Sequence, residues 1–255
     1  MAVCNTSFIV HENRELMYRL DYQPKYEGDN ADDLVLCQAA SDFGVRMISR
    51  SARTIVVRYL DPTDTTKEDV EYEILCLLPF DSARRRMSII VRTNNQIFLY
   101  IKGAETSLWP SLSNSNEAEM KSIIEEHGSE FAEQGFRSLL VAYREIPLEV
   151  YENWFEQYQQ AAQSLSNRED AVSAVANHIE TDLILAGLTA VEDKLQEGVP
   201  RAIASLRSAG IKIWLLTGDK QATALSTAQA ASLVNIPQPH ISENNASSEV
   251  ILFDN

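Results

Sequence analysis

Three short stretches hold residue types suited to gripping a flat ring or a phosphoryl group. Phe80-Asp81-Ser82-Ala83-Arg84-Arg85-Arg86-Met87-Ser88 is the densest positive charge in the chain. Phe80 follows Pro79 at the end of an apolar run. It can sit exposed and stack on a flat base, with planar guanidinium groups close enough to reach phosphates. The plainer alternative is a core phenylalanine followed by a solvated charge run. Lys102-Gly103-Ala104-Glu105 ends a second apolar run. A lysine beside glycine can aim its ammonium at phosphate oxygens, or it can be an ordinary solvated lysine at a hairpin end. Thr217-Gly218-Asp219-Lys220 follows a third run and opens a helix. A threonine hydroxyl, free helix-start amides and a glycine suit a phosphoryl group. The alternative is a strand-to-helix turn with Asp219 as N-cap.

Composition narrows the field. Twenty-two Lys and Arg against 37 Asp and Glu leave a formal charge of −15. So acidic a chain repels phosphate backbones, which argues against a nucleic-acid partner. The three cysteines, Cys4, Cys37 and Cys76, are odd in number and far apart, forming neither a disulfide framework nor a metal-binding pair. No apolar run approaches the ~18–20 residues needed to cross a bilayer.

The elements that must position these residues come in two kinds. Tyr72–Pro79, Met87–Thr93 and Ile97–Lys102 are rich in β-branched and aromatic residues, and Asn94-Asn95 marks a hairpin turn between the last two. Asp32–Ala40 has acidic residues in its first turn and predicts a helix. A second helix ends at Gly135, a strand covers Arg137–Tyr143, and Leu148 to about Glu180 predicts a long amphipathic helix interrupted near Ser166-Asn167. Beyond it, the apolar runs Leu183–Thr189 and Ile211–Leu216 alternate with helices at Val199–Ala209 and Gln221–Leu233, a pattern that predicts a parallel, doubly wound sheet. The expected organisation is an antiparallel α+β piece over 1–181 and part of an α/β sheet over 182–255.

In order, PFDSARRRMSIIVRT, KGAE, GFRSLLVAYRE and EDKLQEGVPRAIASLRSAGIKIWLLTGDKQATA resemble the P-type ATPases. The EDKLQ, AGIKIWLLTGDKQ and RRRMS spellings look like the phospholipid-flipping subfamily. Upstream, GDNADDLVLCQAASDFG is similar to the family's acidic segment before its DFG-like turn. The resemblance implies a nucleotide-binding domain with an antiparallel sheet flanked by helices. After it would come part of a Rossmann-like phosphorylation domain of haloacid-dehalogenase type. It further implies that Phe80 stacks on adenine, Lys102 sits deep near the phosphates, Arg137 contacts the phosphate chain and Asp33 takes the acidic position at the adenine end. The family usually has a longer acid there. Thr217, Gly218 and Asp219 would meet the nucleotide as the domains close, and Asp193 would be structural support near a hinge. The implied ligand is ATP, with Mg²⁺ in the full-length enzyme. The implied partners are the membrane, actuator and phosphorylation domains and an accessory subunit, on the cytosolic face of a multi-pass membrane protein.

The family's phosphorylated aspartate lies in a DKTGT string and its magnesium acids in GDGxND; neither string occurs in the chain. The expectation is therefore an internal fragment that binds ATP, without needing Mg²⁺, and performs no hydrolysis alone. A haloacid-dehalogenase-type phosphatase would need two aspartates two apart, whereas Asp61 and Asp64 are three apart. None of the nine glycines makes a P-loop. A non-catalytic module on this fold and the equivalent domain of a cation or polyamine pump both stay open.

Overall fold

A computed structural model describes residues 1–10, 22–60, 68–113, 118–164, 166–192, 195–217 and 221–234. Its centre is a seven-stranded sheet whose strands neighbour one another in chain order: β3 (Val45–Arg50), β4 (Thr54–Tyr59), β5 (Glu68–Asp81), β6 (Arg86–Thr93), β7 (Gln96–Gly103), β8 (Phe136–Ile146) and β9 (Ile184–Glu192). Every pairing from β3 to β8 is antiparallel. A separate two-stranded ribbon joins β1 (Phe8–Val10) to β2 (Lys25–Glu27).

The hairpin between β6 and β7 turns at Asn94 and Asn95, both left-handed with φ of 47° and 61°. A tight hairpin demands that backbone and asparagine tolerates it. The helix α1 (Ala31–Asp42) is capped by Asn30, whose side chain accepts from the amides of Asp32 and Asp33. Its Cys37 and Ala40 join a core with Met47, Ile55, Val57, Tyr72, Met87, Ile89 and Val91 on one face of the sheet. After β7 come a short helix α2 (Glu105–Leu108), a 3₁₀ turn Trp109–Ser111 and the helix α3 (Ala118–Glu133). Gly135 follows α3 with a φ of +82°.

The amphipathic stretch after β8 is two helices, α4 (Leu148–Ala162) and α5 (Arg168–Ile179), separated at Asn167, whose φ is 53°. Trp154 locks them together by donating its indole N–H to the Val175 carbonyl at 2.8 Å.

The C-terminal part departs from expectation. The helices α6 (Val199–Ser208) and α7 (Gln221–Ala230) form as anticipated. Ile211–Leu216 is not a strand, and Trp214 and Leu216 are 67% and 89% exposed. A parallel-sheet strand is stable only with partners at its edges and cover on its faces. Among the described residues this run has no strand beside it. β9 instead adjoins β8 in the large sheet. Its ends alternate exposed and buried side chains, as suits a half-covered strand more than one enclosed on both faces.

The chain divides into two compact units: residues 1–120 with 139–189, and residues 121–138 with 190–255. Within the second, Thr223 donates its hydroxyl to the Phe136 carbonyl at 3.4 Å, and Ala228 and Ala231 are buried.

Candidate functional site

Three of the anticipated residues stand together in the first unit. The register pairs Leu78 with Ser88 and Asp81 with Arg86, leaving Pro79 and Phe80 opposite the single residue Met87. Two residues against one is a β-bulge, and it suits Pro79, which has no amide hydrogen to contribute to the ladder. On its other side Met87 pairs with Lys102. Phe80, Met87 and Lys102 therefore lie in one row across three strands, spanning about 10 Å at roughly 4.8 Å per strand.

The two ends of the row differ in character. Phe80 is 60% exposed, and Phe8 and Phe43 are exposed as well, at 51% and 85%. Lys102 is only 5% exposed, and its ammonium forms an ion pair with Asp33 Oδ1. Asp33 is 1% exposed, and its Oδ2 accepts from the Thr6 amide at 2.7 Å and the Thr6 hydroxyl at 2.9 Å. The carboxylate is thus held on both oxygens, as a buried charge requires. Lys102 faces α1, and Asp33 lies in that helix's first turn.

Two thiols border this pair. Burial pushes the Cys4 thiol up, with Lys102 the largest opposing influence. Burial also raises Cys37, against the nearby Ser7 hydroxyl and then Lys102. Both stay protonated and unreactive near neutral pH.

The arginines behave differently from the sequence expectation. Arg84 and Arg86 do not extend toward a ligand but are buried against Glu180, which no sequence motif singles out. Arg84 Nη1 donates to Glu180 Oε1 at 2.8 Å, Arg86 Nε to Oε2 at 2.6 Å and Ser88 Oγ to Oε1 at 2.6 Å. A carboxylate with 0% exposure must have such partners, and the nearest cations are drawn inward to supply them. Of the three arginines only Arg85, left-handed at the turn with φ of 51°, is exposed.

Two concavities, of about 410 and 510 Å³, have linings that include none of Phe80, Met87 and Lys102. One is lined by Tyr26, Leu34 and Gln38, the other by Arg84, Ser107, Ser173 and Asn177. The row is a surface whose inner end is closed by the Lys102–Asp33 pair.

Arg137 is half-buried at the start of β8 and belongs, like the exposed Thr217, to the second unit. Gly218, Asp219 and Asp193 lie outside the described residues. Among the described residues no three carboxylate, thiol or imidazole groups gather as a metal cage, and no helix is long and apolar enough to cross a membrane. Thr6 and Glu180 left no signal in the sequence. Each is a single polar residue whose role arises from contacts across 27 and more than 90 positions.

Comparison with known proteins agrees with this architecture. Residues 1–198 match the family model for the P-type ATPase cytoplasmic domain N. The chain is 37% identical over 235 residues to the phospholipid-transporting ATPase ID of Homo sapiens, covering 92% of this chain and 18% of that protein. It is 40% identical over 237 residues to the probable phospholipid-transporting ATPase IM of Homo sapiens, with the same coverage of 92% and 18%. It is 37% identical over 252 residues to the probable phospholipid-transporting ATPase 11 of Arabidopsis thaliana, covering 94% and 20%. The chain thus spans about a fifth of the length of these relatives. With an antiparallel sheet, an exposed aromatic and a buried lysine in one row, and a family match over residues 1–198, the chain belongs to the P-type ATPase cytoplasmic domain N family.

Proposed function

We propose that this chain is the ATP-binding portion of a phospholipid-translocating P-type ATPase, presenting ATP to an aspartate outside the chain to drive lipid movement across a bilayer. In this reading residues 1–181 are the nucleotide-binding module and 182–255 part of a Rossmann-like phosphorylation domain. The exposed Phe80 ring stacks on adenine, and Lys102 meets the phosphates. Arg137 serves the phosphate chain, and Asp33, whose carboxylate pairs with Lys102, is that lysine's counter-ion in place of the acid expected at the adenine end. Thr217, Gly218 and Asp219 approach the terminal phosphoryl group. Mg²⁺ belongs to the full-length enzyme, where it neutralises charge on the transferring group.

The observation that carries the reading is the row Phe80–Met87–Lys102: a solvent-facing aromatic plate and a cation about two strand spacings apart. Because Lys102 is paired with Asp33, phosphate oxygens would have to draw the ammonium outward and take Asp33's place. That exchange makes affinity modest. Base–aromatic stacking contributes about 1–3 kcal/mol, so Phe80→Ala should weaken ATP binding by roughly tenfold. The test is titration of the 255-residue chain with ATP, followed by amide chemical shifts at Phe80 and Lys102. Saturable shifts whose midpoint at Lys102 moves about tenfold higher in Phe80→Ala support the reading; no shift at millimolar ATP discards it in favour of a module that does not bind nucleotide.

A further inference from the structure

Pro79 and Phe80 stand outside the β5–β6 ladder, so something else must hold the exposed ring in place. Arg84 does. Its Nη2 donates to the Pro79 carbonyl at 2.9 Å, and its Nε to Asp81 Oδ2 at 3.4 Å. The residues on both sides of Phe80 are therefore tied to one guanidinium. That guanidinium is anchored in turn by Glu180, which lies just beyond α5 and is closed off from solvent. Arg86 and Ser88 hold Glu180 from the two positions flanking Met87. Arg86 continues to the Ser107 carbonyl at 3.0 Å and Asn177 Oδ1 at 2.7 Å. Asp81 is fixed as well, accepting from the Ala83 amide at 2.8 Å. A planar donor fork serves three acceptors at once, which a lysine ammonium on a flexible stem does not reproduce.

We infer that Arg84 and Glu180 are positioning residues for the Phe80 platform. They set recognition of the base from the sheet face opposite Lys102 without touching the ligand. The inference rests on the nucleotide reading above and adds to it a separation: the Arg84–Glu180 tether governs the base end, and Lys102 governs the phosphate end.

The experiment compares Arg84→Met, Arg84→Lys and Glu180→Gln in the 255-residue chain, using adenosine, ATP and inorganic tripolyphosphate as separate probes. Arg84→Met leaves Glu180 paired to Arg86 and Ser88, so it is the milder change if Glu180→Gln fails to fold. The expected result is that Arg84→Met weakens adenosine and ATP by the same factor, about tenfold, the loss of one base–aromatic stack. Tripolyphosphate binding stays within twofold, and Arg84→Lys recovers only part of the loss. Lys102→Ala should show the reverse pattern. Fluorine NMR of 4-fluorophenylalanine-labelled protein gives a second readout that needs no nucleotide. The resonance missing in Phe80→Ala reports the ring, and in Arg84→Met it should sharpen and move toward the free amino-acid position. An unmoved resonance overturns the inference, as does an equal fall for adenosine and tripolyphosphate, which would mark a general structural role. If the wild-type chain binds neither adenosine nor ATP, the nucleotide reading fails, and the fluorine signal alone decides the tether.

Discussion

Lys102 and Asp33 are each other's main compensation in a nearly solvent-free position. Removing one charge leaves the other buried and underpaired, which commonly costs about 3–5 kcal/mol. Lys102→Ala should fall at the lower end, since Thr6 still gives Asp33 two hydrogen bonds. The double variant Lys102→Met with Asp33→Leu should recover most of that loss, because packed apolar groups of similar size often replace a buried pair at little cost. Thermal unfolding of Lys102→Met, Asp33→Leu and the double variant checks this; a double variant as unstable as the sum of those two singles would show that the charges do not compensate each other. Asp81 offers a titration test. The Ala83 amide, with help from Arg84, holds its carboxyl below the ordinary range against the opposing effect of burial. A carboxylate with a depressed folded pKa stabilises the fold above its unfolded value near 3.9. That stabilisation disappears as pH falls through the folded value. The melting-temperature gap between wild type and Asp81→Asn should hence be constant from pH 5 to 7 and close below about pH 4. A gap that does not narrow at all as pH falls from 5 to the onset of acid unfolding would refute the assignment.

At the scale of elements, the turn joining β5 to β6 leans on the end of β7. A side-chain carbon added at Gly103 would meet the Arg86 Cβ at 2.4 Å, the Arg85 carbonyl oxygen at 2.7 Å and the Arg86 Cα at 2.8 Å. Two of these are backbone atoms and cannot step aside alone. Gly103→Ala should therefore destabilise by about 1–3 kcal/mol, the range for overpacking, and should disturb the Phe80 amide, four positions upstream of Arg84. Denaturant unfolding measures the first effect; a wild-type midpoint would mean the turn has room to move. Local legibility followed local chemistry. The β6–β7 hairpin, the α1 start, the break at Asn167 and the Pro200–Gly210 helix were readable, because turn and cap residues encode them within a few positions. β3 and β4 gave less notice. Arg46 and Arg58 interrupt their apolar alternation, yet both are buried, Arg58 on Asp69 at 2.6 Å. Ile211–Leu216 misled for the opposite reason: an apolar run states what a strand needs to bury, but says nothing of whether its neighbours are at hand. Of the site, Phe80 and Lys102 were legible as residue types at strand ends. Their shared row, the closure by Asp33 and Thr6 and the Glu180 anchor depend on register and long-range pairing, which no short window contains.

At the scale of the molecule, the three buried thiols report whether the two faces of the large sheet open together. Cys4 and Cys37 belong to the core on the α1 face. Cys76 pairs across to Ile90, in alternation with the Met87 face, and is linked to Tyr158 of α4. Burial pushes the Cys76 thiol up to about 11 and raises the other two, so modification at pH 7.5 has to wait for opening and exposure. β5, β6 and β7 form a continuous antiparallel stack that both faces share, so neither face can lose its cover by a large movement without disturbing the other. On this argument the first unit opens as one body. A ligand that binds only the closed form at about 100 times its dissociation constant suppresses such opening about 100-fold. Saturating ATP should therefore slow alkylation of Cys4, Cys37 and Cys76 by the same factor, measured by mass spectrometry of each peptide. Protection of Cys4 and Cys37 with Cys76 still reacting at its unliganded rate would show instead that the α4 face opens independently of the nucleotide face, and that the sheet does not couple them.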